Sequence, residues 1–410
     1  MNVKKITLNV LFVLGVVSGM GAQEIRYFFE LAETNNPELR ALRLRHDLAG
    51  EKVNEARALP DTEIGAGVFV SEPETRTGAQ VVRFSVRQML PWFGQITARE
   101  NFASSMAEVE YLDWVIARRQ LRLEVAQAYY RLQALRQQIG ILEQQAVLLD
   151  SYREVALAAV EAGKASAVDV LRLEIRKNDV TARSQVLENQ YESGAFAFFR
   201  LINATETAIG FMVTELPGEL PEPDPPVLGP HPELEKYDRL FASVAREEAL
   251  NRKSAAPKIG LGLDYIPVAE RTDMVIPDSG KDIVMPMVSF SFPLFRSPYK
   301  SRTRQNEFRQ AALEAEENAR RNRLEGMLQQ AWQGQRSARV RFATLTENSQ
   351  NTRQAIEILL KNYQTQQADF GDLLEMQEME LKLELERTEA FASYLSQGAL
   401  VNYLVAQPGL

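Results

Sequence analysis

The side chains that could do chemistry are carboxylates close to two short turns of the chain. Asp372 and Glu375 are three residues apart, which places both on one face of a helix. Asp169 follows the other turn, but there Arg172 stands where the second copy has Glu375. Carboxylates around a narrow opening would favour cations. Helix capping is an equal alternative, because an Asp near a helix N-terminus is stabilised by the helix dipole.

A second polar group lies on segments that alternate in the period of a β-strand. Arg83 and Arg87 are two steps of that alternation apart, and Asp264 occupies the same kind of position in a later segment. These side chains could line a water-filled interior. Pairing of the arginines with Asp264 or Glu63 on neighbouring strands is an equal alternative.

Composition argues against several other kinds of chemistry. The chain has no cysteine, and its two histidines, His46 and His231, lie in separate helical segments and not as paired ligands. No phosphate-cradling glycine loop is present. The net charge of −8 argues against nucleic acid as a partner. We therefore predict a protein that is not an enzyme, with no cofactor and no metal site.

The elements that carry these residues are very long helices. From Val125 to Leu149 the apolar residues recur at alternating steps of three and four, the seam of a coiled coil. No proline interrupts Ile96 to Val160, so a helix over residues 96–162 would be about 100 Å long. Gly163 and Ser166 then supply turn and cap residues before a return helix over residues 168–203. The pattern predicts an antiparallel helical hairpin.

The chain is an internal duplication. His231-Pro232-Glu233-Leu234 repeats Asn36-Pro37-Glu38-Leu39 after 195 positions, and Asp372-Leu373-Leu374 repeats Asp169-Val170-Leu171 after 203. We predict a signal peptide at 1–22, in preference to a membrane anchor, because the apolar run is too short to span. The remaining boundaries are a first repeat at 23–216, a Pro-rich linker at 217–230 and a second repeat at 231–410.

Each repeat contains two alternating segments, so the fold class is mainly α with a small β part. Their apolar and polar faces fit a membrane barrel with a wet interior, or equally a soluble sandwich with one solvated face. Four strands cannot close around a pore, so in a membrane several chains must share one barrel. Three chains would give twelve strands.

These residues carry a resemblance to a known family. The stretch NNPELRALRLRHDLAGEKVNEARALPDTEIGAGV, its weaker second copy and the turn motif G-x-x-x-x-x-D-[LV]-L resemble the TolC family of outer-membrane efflux proteins. The resemblance implies a homotrimer with a 12-stranded β-barrel shared by three chains and a long coiled-coil helical barrel. It implies location in the outer membrane of a Gram-negative bacterium, in contact with its lipid and extending into the periplasm.

The same resemblance implies a function and the residues that serve it. The function is the exit duct of a tripartite efflux pump or a type I secretion system, working with a periplasmic adaptor and an inner-membrane transporter. The cargo stays open between small molecules, metal ions and polypeptides. The alternative is a soluble periplasmic coiled-coil scaffold. The implied residues are an entrance ring of Asp372, Glu375 and Asp169; adaptor contacts at Gly163, Lys164, Ser166, Phe370 and Gly371; and a barrel lumen lined by Arg83, Arg87 and Asp264.

Overall fold

The structure is a computed structural model, and it describes residues 24–71, 73–163, 166–204, 216–365 and 367–405. The predicted signal peptide and Lys164 lie outside these residues. The chain forms two compact units. Unit 1 comprises the described parts of Met1–Ala41, Val115–Pro232 and Arg321–Leu410, and unit 2 comprises Leu42–Trp114 and Glu233–Arg320. Each unit therefore contains parts of both predicted repeats, and the repeat boundaries stay a prediction about the sequence.

The helices follow the predicted order in both halves. The seam positions, with no proline among them, produce a 67-residue helix that ends within one residue of its predicted bounds. Within the described residues, no helix is apolar over a long enough stretch to cross a membrane. The helices are α1 (24–35), α2 (Pro37–Ala56), α3 (Gln95–Glu161), α4 (Ala167–Leu201), α5 (Pro232–Ser254), α6 (Ser297–Gln364) and α7 (Phe370–Val405).

The coiled-coil seam of α3 forms the core of unit 1, as its spacing predicts. Val125 is fully buried, and Ile139, Leu142 and Leu149 are each 1% exposed. The seam packs against the start of α7, where Leu373 is also 1% exposed and belongs to the same cluster as Leu142 and Leu149. Burial of an apolar face is what stabilises helices of this length.

Unit 2 contains one four-stranded antiparallel sheet in the order β1-β4-β5-β6. β1 and β6 are its edge strands, so each has one side without a partner in this sheet. β6 contains Pro286, which argues locally against a strand but is tolerated at the edge of a sheet. The strands are β1 (Thr62–Val68), β2 (Glu74–Thr75), β3 (Gly78–Ala79), β4 (Val82–Leu90), β5 (Lys258–Ile266) and β6 (Ile283–Ser291).

The segment from Ser71 to Gln80, which we predict to be a polar loop, contains a small hairpin. β2 and β3 pair through Thr75 and Gly78. Gly78 has φ 138°, and a Cβ there would lie 1.8 Å from the carbonyl oxygen of Ala269. The hairpin depends on this glycine, a long-range contact that local sequence does not reveal.

The two faces of the large sheet differ, as the alternation predicts. One face is apolar and exposed: Ile64 is 81% exposed, Val288 64% and Phe290 57%. The strand register places Arg83, Ser85 and Arg87 together on the other face. Exposure of so continuous an apolar face is unusual for a surface in contact with water.

Candidate functional site

The first hairpin turn joins α3 to α4. Gly163 lies two residues after the end of α3. Its φ is 67°, a left-handed conformation that favours glycine. Ser166 is the N-cap of α4, and its hydroxyl accepts a hydrogen bond from the backbone N–H of Val168 at 3.2 Å. The predicted cap at Ser166 is therefore present.

The second turn uses a different capping residue. The carboxylate of Asp369 accepts a hydrogen bond from the backbone N–H of Gly371 at 2.7 Å, which caps α7. Asp372 lies in the first turn of that helix, and among the described residues its side chain makes no capping hydrogen bond. Asp369 is 203 positions after Ser166, so the repeat offset could have identified it as the cap.

Phe370 sits at the start of α7 but does not present its side chain to solvent. It is 4% exposed and its ring lies 5.2 Å from the ring of Tyr363. The side chain therefore contributes to the core of unit 1. Its predicted role as an adaptor contact stays a prediction. Gly371 is half-buried, whereas Gly163 and Ser166 are exposed.

Asp169 is held in a polar cluster at the hairpin ends. Its carboxylate lies 3.5 Å from the guanidinium of Arg172, and its side chain is only 17% exposed. Burial, with the nearby carboxylates of Asp169 and Asp369, raises the pKa of Tyr363 above its ordinary value. Tyr363 escaped the sequence prediction because it approaches Asp169 and Asp369 only through the packing of α6. Arg172 is three residues from Asp169, but the sequence did not reveal that the two side chains pair.

Asp372 and Glu375 occupy a different surface. Both are exposed, and both line one open groove together with four residues of α6 and α7. Neither forms an ion pair within the described part of the chain. The structure brings these two predicted residues together and leaves Asp169 with Arg172. The other groove residues are Ala355, Ile358, Leu359 and Met376.

On the sheet, the structure pairs two of the three predicted lumen residues. The Arg83 guanidinium donates to the Asp264 carboxylate, and Asp264 is fully buried. Arg87 is exposed, lies opposite Glu63 and Gly262 in the strand register, and makes no ion pair among the described residues. Inter-strand pairing, the alternative left open above, therefore holds for Arg83.

Within the described parts of the chain, neither histidine lies in a cluster of metal-ligand type. Nδ1 of His46 lies 3.2 Å from the Ala107 carbonyl oxygen, and His231 is 2% exposed with its ring 5.3 Å from Tyr403. Among the residues that the structure describes, no group of three or more His, Cys, Asp or Glu is placed to hold a metal ion. The candidate functional residues therefore lie at the two turns, along the groove and on the sheet.

Comparison with known proteins gives a partial family match and a set of structures with the same fold. Residues 29–203 match the family model for outer membrane efflux proteins. A search of curated proteins gave no match. The fold is similar to that of the outer-membrane channel OprN (TM-score 0.73, 18% identity), covering 93% of this chain and 89% of that one. It is also similar to that of VceC of Vibrio cholerae, with a TM-score of 0.70 and 15% identity. That match covers 93% of this chain and 96% of VceC.

The fold is also similar to that of a third outer-membrane channel, CusC. CusC has a TM-score of 0.76 at 12% identity, and the match covers 93% of this chain and 92% of that one. These structures share the mainly helical fold with a small sheet. The fold that the resemblance to the TolC family implies for a single chain, mainly helical with a small four-stranded sheet, is thereby confirmed.

Proposed function

We propose that this chain, whose residues 29–203 belong to the outer membrane efflux protein family, is the exit duct of an export system. It lies in the outer membrane of a Gram-negative bacterium and extends into the periplasm. There it works with a periplasmic adaptor and an inner-membrane transporter in a tripartite pump or type I secretion system. Small molecules, metal ions or polypeptides pass through it, and it catalyses no reaction itself.

The observation that carries this proposal is the sheet of unit 2. One face is exposed and apolar, with Ile64, Val288 and Phe290 each more than half exposed. Both edge strands, β1 and β6, have an open side. In lipid an apolar face is favourable, but backbone groups of an open edge cannot be left unsatisfied. Pairing of β6 of one copy with β1 of the next satisfies both edges, and three copies give a closed barrel of twelve strands.

The candidate residues take roles within this assembly. Arg83, Arg87 and Asp264 lie on the sheet face opposite the apolar one and line the lumen of the shared barrel. Asp372 and Glu375, repeated three times, form an acidic entrance ring that favours cations. Asp169 belongs to the same end, although Arg172 offsets its charge. The exposed tip residues, with Gly371 and Lys164, contact the adaptor.

A pair of adjacent substitutions tests whether the apolar face meets lipid or water. Val288→Arg places a charge on the apolar face, and Ser289→Arg places it on the opposite face of the same exposed strand. In a membrane, arginine on the lipid face costs about 2–4 kcal/mol near the midplane, whereas a lumen position tolerates it. We expect Val288→Arg alone to abolish the trimer band of unboiled, detergent-extracted outer membranes and the channel conductance in lipid bilayers.

The soluble scaffold is the second candidate, and the same pair rejects or supports it. In water Val288→Arg only replaces an exposed valine by an exposed arginine, so both variants would behave alike. A wild-type chain found as a monomer in the periplasmic fluid, with no conductance, would refute the duct.

A further inference from the structure

The apolar surface of the sheet continues beyond the end of β6. Phe292, Leu294 and Phe295 are 61%, 86% and 82% exposed. The ring of Phe292 lies 6.4 Å from that of Phe290, which belongs to the apolar face. Large apolar side chains at the end of a membrane strand are typical of the zone between the hydrocarbon and the head groups.

Three cations follow this apolar segment at once. Arg296, Lys300 and Arg304 are spaced four residues apart. Arg296 immediately precedes α6, its carbonyl oxygen accepts a hydrogen bond from the backbone N–H of Lys300, and Lys300 and Arg304 lie on one face of the beginning of the helix. All three are exposed, and none forms an ion pair within the described residues. Arg302 differs, since its guanidinium lies 3.6 Å from the carboxylate of Glu247.

An anionic partner would stabilise this arrangement. Like charges four residues apart destabilise a helix by a few tenths of a kcal/mol per pair. The protein as a whole has a net charge of −8, yet no acidic side chain among the described residues pairs with this row. Unlike the unpaired arginines of α2, the row lies directly beside an exposed apolar segment. An anionic surface beside the apolar segment would offset the repulsion.

The first repeat serves as an internal contrast. Positions 203 residues earlier than the three cations are Phe93, Thr97 and Asn101, none of which is charged. Phe93 is 79% exposed, so the apolar part of the junction is present in both repeats. The first repeat has the half-buried Arg99 near this point but no row of exposed cations, which shows that a strand-to-helix junction of this kind does not require such a row.

We propose that this surface, the basic collar of Arg296, Lys300 and Arg304 beside Phe292, Leu294 and Phe295, binds anionic glycerophospholipid head groups. The proposal rests on the proposed function, which places the sheet in a membrane and α6 on its periplasmic side. The rings lie at the interface while the long basic side chains extend along it to the phosphates. The occupant is therefore a phospholipid of the periplasmic leaflet.

The test compares lipid binding by the purified full-length protein in detergent. Apparent dissociation constants are measured by native mass spectrometry for dioleoyl phosphatidylglycerol and dioleoyl phosphatidylcholine. The collar variant is Arg296→Gln, Lys300→Gln, Arg304→Gln. The matched control carries the same loss of charge at three exposed arginines of α2 without ion pairs among the described residues, Arg40→Gln, Arg43→Gln and Arg45→Gln.

Each basic side chain near an anionic surface contributes roughly a fivefold preference. We therefore expect wild type and control to bind phosphatidylglycerol on the order of 100-fold more tightly than phosphatidylcholine. The collar variant should keep its trimer and conductance and lose that preference. An unchanged preference in the collar variant, an equal loss in the control, or tighter binding of lipopolysaccharide than of phosphatidylglycerol overturns the proposal. Failure of the wild type to insert and conduct would instead refute the duct.

Discussion

The two hairpin turns occupy equivalent positions in the two repeats, and each caps the free backbone N–H groups at the start of the following helix. Ser166 caps α4 and Asp369, 203 positions later, caps α7. In both, a side-chain oxygen accepts a hydrogen bond from a backbone N–H two residues on. The shared backbone requirement has been met by different side chains.

Beyond the caps the two turns differ in charge. Asp169 is matched by Asp372, but Arg172 is matched by Glu375. The first pair neutralises itself at 3.5 Å, while the second leaves two exposed carboxylates on one groove. Exposed charges contribute little to stability. The two repeats therefore share the geometry of their turns, but exposed, unpaired carboxylates line a groove only in the second.

Burial distinguishes the repeats more strongly than charge, and core truncation gives the largest expected effect. Leu374 is 7% exposed within the core cluster, whereas its counterpart Leu171 is 60% exposed. We expect Leu374→Ala to lower the free energy of unfolding by about 3 kcal/mol. Leu171→Ala should change it by less than about 0.5 kcal/mol. Denaturant unfolding of the detergent-solubilised protein, followed by circular dichroism, measures both.

Equal losses of unfolding free energy in the two variants would contradict the difference in burial between Leu374 and Leu171. They would mean that Leu171 is buried by another copy of the chain. Repeating the measurement on separated trimer and monomer fractions tells the two cases apart.

A second contrast lies between α5 and α2. Burial alone would raise the pKa of Glu248, but hydrogen bonds from Asn306, Arg252, Thr303 and Asn251 outweigh it, so the pKa is lowered. Because the pKa is lower in the folded state, this stabilisation is present above the ordinary value of 4.5. It is lost as pH falls through the folded value.

The prediction concerns both stability and its pH dependence. Glu248→Gln should lower the free energy of unfolding by about 2 kcal/mol at pH 7 and by much less at pH 3. The first repeat has Val53 at the equivalent position, 195 residues earlier, so Asp47→Asn in α2, at an exposed carboxylate, serves as control. A loss that stays the same at pH 3 would show that packing and not charge is responsible.

The bounds of the long helices were predictable because they follow from the spacing of apolar residues and prolines along the sequence. The seam fixed α3 within one residue at each end, since a proline-free heptad repeat has no other way to bury its apolar side chains. Alternation likewise predicted which sheet face is apolar. Alternation was less informative for β6. Pro286 argues locally against a strand, and only the position of β6 at the edge of the sheet permits a proline there.

The candidate site was less predictable because contacts between distant helices decide it. The sequence identified the carboxylates but not their environments. Arg172 lies three residues from Asp169 and could equally have faced solvent. Tyr363 approaches the same cluster from α6, and no local pattern marks it. Similarly, the Arg83–Asp264 pair depends on a strand register formed between residues 181 positions apart.

Making the two turns alike in charge tests the role of the groove. Glu375→Arg gives the second turn the Asp-Arg pair of the first. In bilayer recordings we expect block by hexamminecobalt(III) to weaken on the order of tenfold, about 1.4 kcal/mol, since a neutralised ring no longer concentrates cations. Arg172→Glu should strengthen the block.

Glu357→Arg, an exposed charge change on α6 outside the groove, is the control. If it weakened block as much as Glu375→Arg, the effect would come from net charge and not from the ring. Unchanged block in both turn variants would remove the entrance role from these residues.

The smallest expected effect concerns the glycines of the two turns. Gly163 has φ 67° with open space around it, so Gly163→Ala adds backbone strain of about 1 kcal/mol without a steric clash. At Gly371 the backbone is not left-handed, and a Cβ would lie 3.3 Å from Asp369 and 3.4 Å from Arg172. There the preference of a helix for alanine opposes mild crowding, so we expect almost no net change.

Because a hairpin end can open without global unfolding, the appropriate measurement is local hydrogen–deuterium exchange. Gly163→Ala should raise exchange about fivefold at the end of α3, while Gly371→Ala leaves the start of α7 unchanged. Faster exchange at α7 in Gly371→Ala would mean that the side chains of Asp369 and Arg172 cannot shift to make room for the added methyl group. The second turn would then be the more rigid of the two, and the difference between the repeats would extend from charge to backbone mobility.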